Sequence, residues 1–158
     1  MSEIQEANKL FLDKKFSDAI SLYDLVLKKD PVNLDAINNK AYALSKLKRH
    51  QEAITLYNLG LKTYPNEKTL LINKISSLRK LKSYQDALDI CDEILSQTPN
   101  DNIVLYHKER ILHSIERYAD SIACCDVILS SYPDNSEVLF DKALSLARLH
   151  DQKTIHVL

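Results

Sequence analysis

Apolar residues recur along this chain at helical spacing. Ala19, Leu22 and Val26 share one stripe, and Ala87, Cys91, Ile94 and Leu95 share another. The segments between them carry their own stripes. Ile37, Ala41, Leu44 and Leu47 form one, and Leu71, Ile75, Leu78 and Leu81 the next. The spacing predicts first helices at about 2–13, 34–47, 68–81, 102–115 and 136–149, and second helices at about 17–29, 51–63, 85–97 and 119–131.

The second-helix stretches are nearly one line written four times: KFSDAISLYDLVLKKDP, RHQEAITLYNLGLKTYP, SYQDALDICDEILSQTP and RYADSIACCDVILSSYP. Each ends in proline, and Pro31, Pro65, Pro99 and Pro133 lie 34 residues apart with no other proline in the chain. Ala19, Ala53, Ala87 and Ser121 keep the same step, as do Ile20, Ile54, Leu88 and Ile122. A repeat of this length means stacked helical hairpins, each hiding its apolar sides against its neighbours. The Asn or Asp residues after each proline (DPVN, YPNE, TPND, YPDN) supply caps for the next helix. Small residues such as Ala19, Ala53 and Ala87 belong where helices approach closely.

This pattern resembles the tetratricopeptide repeat (TPR), in its period, its Tyr-x-x-Ala-Ile/Leu phrase and its terminal proline. The resemblance implies an all-α, right-handed α-solenoid of antiparallel helix pairs. It divides the chain into one array: repeat 1 at 1–33, repeat 2 at 34–67, repeat 3 at 68–101, repeat 4 at 102–135, and a partial fifth repeat or capping helix at 136–158. Ala7, Ala41 and Ala143 take the small-residue place where the two helices of a hairpin cross. Ile75 and Glu109 depart from it, and the Glu109 carboxylate is expected to escape to solvent or find a cation. HDQKTIHVL, from His150, reads as the start of a fifth second helix that stops after about two turns.

The resemblance further implies a concave groove lined by first helices. Its candidates are Asn8, Asp35, Asn38, Asn39, Tyr42, Lys46, Asn73, Arg79, Lys80, Tyr106, His107 and Arg110. Asparagine amides can hydrogen-bond an extended peptide backbone, tyrosines offer flat apolar area, and the cations favour acidic groups. The carboxylate clamp of some TPR co-chaperones is disfavoured. Asn8 and Asn39 match its two Asn, but Ile4, Thr69 and Asn73 stand where it needs Lys, Lys and Arg. A different class of function is self-assembly into a homo-oligomer through the C-terminal helix, where Leu139, Ala143, Leu146 and Leu149 form a stripe.

Composition narrows the rest. A single glycine, Gly60, leaves no glycine-rich phosphate loop. The five histidines form no i,i+4 pair and no Cys-x-x-Cys set exists, so neither metal nor cofactor is expected. With no G-x-S-x-G, P-loop or H-E-x-x-H, the chain is not expected to be an enzyme. The net charge of −1 argues against bulk attraction to nucleic acid or membrane, although one basic face could hide inside a neutral total. Three cysteines, read as buried free thiols, and a charged start without a signal core make the cytoplasm the expected compartment. The expected role is a non-catalytic protein–protein interaction scaffold that binds a partner segment in the groove.

Overall fold

A computed structural model describes residues 1–155. Among the described residues there are nine helices and no strands. They form two compact units, residues 1–83 and 84–158. The first holds α1 (Glu3–Leu12), α2 (Phe16–Lys29), α3 (Leu34–Lys46), α4 (His50–Thr63) and α5 (Lys68–Lys80). The second holds α6 (Tyr84–Gln97), α7 (Asn102–Ser114), α8 (Tyr118–Ser131) and α9 (Ser136–Ile155). Within each unit every helix packs on the next in sequence, and in the first unit α3 also touches α1 and α5. This is the nearest-neighbour stacking of a helical-hairpin solenoid.

The repeat explains each boundary. Asn33, Glu67, Asp101 and Asn135, one per proline turn, cap the next helix through their side-chain oxygens, which accept from Ala36, Thr69, Val104 and Val138 N–H respectively. At the other turn the chain reverses through a left-handed residue that is not glycine. Lys14, Lys48, Lys82 and Glu116 have φ of 59°, 64°, 60° and 63°. Such a residue costs about 1–2 kcal/mol. The following hairpin contact must offset that cost, since the second helix can fold back only through this turn.

Ala7 and Ala41 at the crossings, and Ala19, Ala53 and Ala87 in the second helices, are wholly buried. In the first unit they join Tyr23, Tyr57, Ile37, Leu44 and Leu70 in the core. The second unit buries Leu105, Ile111, Leu112, Cys125 and Ile128. Tyr23, Tyr57, Cys91 and Cys125 hold one repeat position, so tyrosine fills it in the first unit and cysteine in the second.

The structure decides two points. First, the Glu109 carboxylate does not escape to solvent: it is 2% exposed, and Ser121 Oγ donates to its Oε1 at 2.9 Å. Ser121 stands where the other copies have alanine, so the two departures compensate each other. Ser145 Oγ lies 3.0 Å from Ser121 Oγ and 2.8 Å from His113 Nδ1, which extends the buried polar chain across α7, α8 and α9. Second, no turn follows residue 149. His150, at the left-handed position of the other copies, continues α9 to Ile155. Gln152 Nε2 donates to the Glu116 carbonyl at 3.3 Å and ties this extension to the preceding turn. His156, Val157 and Leu158 lie outside the described residues.

Ion pairs repeat in the same register. Lys40 binds Asp24 at 2.5 Å, Lys108 binds Asp92 at 2.6 Å, and Lys142 binds Asp126 at 2.6 Å, each joining a second helix to the next first helix. The remaining pair is Lys74 with Asn58, where the carboxylate is missing. Asn58→Asp should therefore raise stability by about 0.2–1 kcal/mol, as expected for a half-exposed pair. Thermal denaturation should show the gain, and Lys74→Met should abolish it. Gly60→Ala tests packing against propensity. An added Cβ would lie 2.9 Å from both Ile37 Cγ2 and Leu70 Cδ1. Overpacking of about 1–3 kcal/mol outweighs the helix-propensity gain of about 1 kcal/mol, so Tm should fall rather than rise.

Candidate functional site

In the first unit the first helices place asparagines at matching points: Asn8 on α1, Asn38 and Asn39 on α3, and Asn73 on α5. Each lies a little over one turn from the start of its helix, and all four are partly buried. Their amides form one directed chain. Asn73 Nδ2 donates to Asn38 Oδ1 at 2.9 Å, Asn38 Nδ2 to Asn39 Oδ1 at 3.2 Å, and Asn39 Nδ2 to Asn8 Oδ1 at 3.1 Å. Tyr23 on α2 donates its hydroxyl to the same Asn8 oxygen at 2.7 Å. The chain ends on Asn8 Nδ2 and Asn73 Oδ1, neither of which hydrogen-bonds within the described residues. It thus offers one donor and one acceptor across three helices, in bonds aligned so as to reinforce one another.

Beside this ladder, one turn along α3, Tyr42 packs against Phe11 with ring centroids 5.5 Å apart. Lys46 Nζ lies 4.9 Å from the Tyr42 ring centroid. Tyr57 lies wholly buried, and its hydroxyl has no hydrogen-bond partner within the described residues. Burial pushes its pKa up, and neighbouring Tyr42 adds to the shift. Arg79 is half-buried near the end of α5, and Lys80 is exposed beside it. The first unit therefore brings together the four asparagines, with Tyr42 and Lys46 beside them.

Tyr106, His107 and Arg110 lie on α7 in the second unit. Here the polar groups answer one another. Tyr106 donates its hydroxyl to Glu137 and accepts from Arg110 Nη1 at 2.7 Å. Arg110 also lies 3.7 Å from Glu137 and from Asp141. The Tyr106 pKa is raised, first by burial and then by its bond to the Glu137 carboxylate. Local carboxylates thus engage the one guanidinium assigned to the groove in this unit. Ile103 and Tyr132 line an apolar hollow of about 330 Å³ beside Tyr106.

Residues 10–71 match the family model of the tetratricopeptide repeat. Those residues carry the tetratricopeptide-repeat pattern. Solved TPR-like structures extend that fold over nearly the whole chain. A structure described as MamA 41-end from Desulfovibrio magneticus RS-1 is 18% identical, with a TM-score of 0.87, and the alignment covers 96% of this chain and 86% of that one. The MamA RS-1 ArsTM double mutant is 19% identical at a TM-score of 0.85, covering 95% and 84%. A tetratricopeptide repeat protein from Parabacteroides merdae ATCC 43184 is 18% identical at a TM-score of 0.85, and this chain spans 94% of itself but 59% of that protein. No curated protein matches the chain.

The groove set omitted one residue of the ladder. Tyr23 recurs with Tyr57 at the 34-residue step and reads as core, yet its hydroxyl donates to Asn8. Among the described residues no group of three or more His, Cys, Asp or Glu could hold a metal, and no helix is long and apolar enough to cross a membrane. Cys91, Cys124 and Cys125 are free and buried; burial pushes their pKa values up to about 12, about 11 and about 12. A thiol reagent at pH 8 should therefore leave all three unmodified in the native protein and modify three in denaturant. Fast native labelling of any one would contradict its burial.

Proposed function

We propose that this protein is a non-catalytic protein–protein interaction scaffold that takes an extended partner segment along the asparagine ladder of its first unit. TPR proteins serve generally as interaction scaffolds, and the observation that carries the finer reading is the pair of unanswered ladder ends. Asn8 Nδ2 can donate to a partner carbonyl, and Asn73 Oδ1 can accept from a partner N–H. Tyr42 supplies a flat surface for a side chain, while Lys46 and Lys80 favour partners with acidic groups. Tyr106, His107 and Arg110 are proposed as secondary contacts, because Arg110 already neutralises carboxylates of its own unit.

A second reading is homo-oligomerisation through α9. Leu139 and Leu146 of the expected stripe are 45% and 48% exposed, Ala143 is exposed with them, and Phe140 beside it is 67% exposed. Leu149 is partly buried. The same positions on α3 and α7 are buried under the following helix (Ile37, Ala41 and Leu44; Leu105, Glu109 and Leu112). Such a contact would be apolar and would hold at high salt.

A pull-down with mass spectrometry should identify the partner. The double variant Asn38→Ala with Lys46→Glu should then weaken its binding about 10–100-fold by calorimetry, the cost of breaking the ladder and reversing one charge. The helical circular dichroism should stay unchanged. Undiminished affinity would move the site away from the ladder.

A further inference from the structure

The net charge of −1 conceals a polarity. Residues 1–83 carry 15 Lys and Arg against 9 Asp and Glu, and residues 84–158 carry 6 against 13. The units therefore hold formal charges of +6 and −7. Asymmetry of this size between halves calls for a physical use.

The positive charge concentrates along one edge. Lys14 and Lys15 follow α1, and Lys46 and Lys80 end α3 and α5 with Lys48 and Lys82 in the turns beyond, so two exposed lysines stand at each place. None of the six forms an ion pair within the described residues. Lys14, Lys48 and Lys82 are the left-handed residues, held outside the helices by backbone geometry. The His50 pKa is lowered, first by burial and then by Lys80. At the fourth turn the row stops, because Glu116 takes the lysine position and Arg117 pairs with Asp120 at 2.7 Å.

The matching negative surface is on α6. Asp86, Asp89 and Glu93 occupy one solvent face, and the helix contains no basic residue. Asp89 accepts from Gln85 Nε2 at 2.7 Å, and none of the three is ion-paired within the described residues. Asp86 and Glu93 are separated by a rise of about 10 Å. Packed neighbouring helices are about 8–10 Å apart, so successive lysines of the edge recur at nearly the same interval.

We propose that the basic edge of one copy docks on the α6 acidic face of a second copy, a head-to-tail contact steered by opposite charge. It needs neither the ladder nor the α9 stripe. A contact between two different patches leaves each copy one unused patch, so association continues past two chains unless a ring closes. Exposed pairs are individually weak and screened by salt, which makes the association low-affinity and salt-sensitive.

Sedimentation velocity on the full chain tests this, at 20 mM and 300 mM NaCl. Wild type should self-associate at low salt, with an association constant at least tenfold smaller at 300 mM. Lys14→Glu/Lys48→Glu and Asp89→Lys/Glu93→Lys should each be monomeric alone; glutamate is tolerated at the left-handed position, as Glu116 shows. Mixing the two variants should restore association, because the native edge of one meets the native face of the other and the two reversed patches are again opposite in charge. Circular dichroism verifies that both variants fold. A wild-type monomer at low salt, self-association indifferent to salt, or a mixture that stays monomeric overturns the proposal. A monomeric chain that binds phosphatidylserine vesicles through Lys14 and Lys48 assigns the edge to lipid and overturns it too.

Discussion

The structure depends on the close approach of helices at small buried side chains. Ala7, Ala19, Ala41, Ala53 and Ala87 have no exposed surface, and the larger residues around them pack because the backbones come so near. Helices of 10–14 residues are marginal alone in water, so each persists through the neighbour it touches. The left-handed lysines, the caps and the ion pairs all serve this contact. They recur in its register because each hairpin solves the same packing problem.

The fourth hairpin shows what happens when the rule is broken. A glutamate in place of a small residue would be an unsatisfied charge in a core, at a cost of several kcal/mol. Serine replaces alanine opposite it, a second serine arrives from α9, and His113 terminates the chain of bonds. Removal of Ser121 would leave the carboxylate without a hydrogen bond that now satisfies it. The polar chain also fixes α9 on α7 and α8 through a network that must be satisfied as a whole.

Period and pattern made the helices legible. The proline step placed the repeats, the alanine step placed the contacts, and the helix boundaries agree with the structure within a few residues for α1 to α8. Residues that make sense only in pairs were illegible. Glu109 looked like a misfit until Ser121 was seen beside it. His150 looked like the start of a turn by its repeat register, yet it lies inside α9. Asn39 and Asn73 share one repeat position, and Asn8 and Asn38 could be assigned to first helices, but the direction of their hydrogen bonds, which decides what the ladder offers a guest, needed coordinates. The charge polarity was present in the sequence all along; only the division into units showed where to count.

The ladder suits an extended backbone, and the charged surfaces suit a partner of opposite charge. Side-chain amide NMR of the asparagines, recorded while the captured partner is titrated in, addresses the ladder directly. The account predicts that the Nδ2 resonances of Asn8, Asn38, Asn39 and Asn73 shift together and saturate with the binding isotherm. Those signals staying fixed while resonances of α9 or α6 move would contradict it.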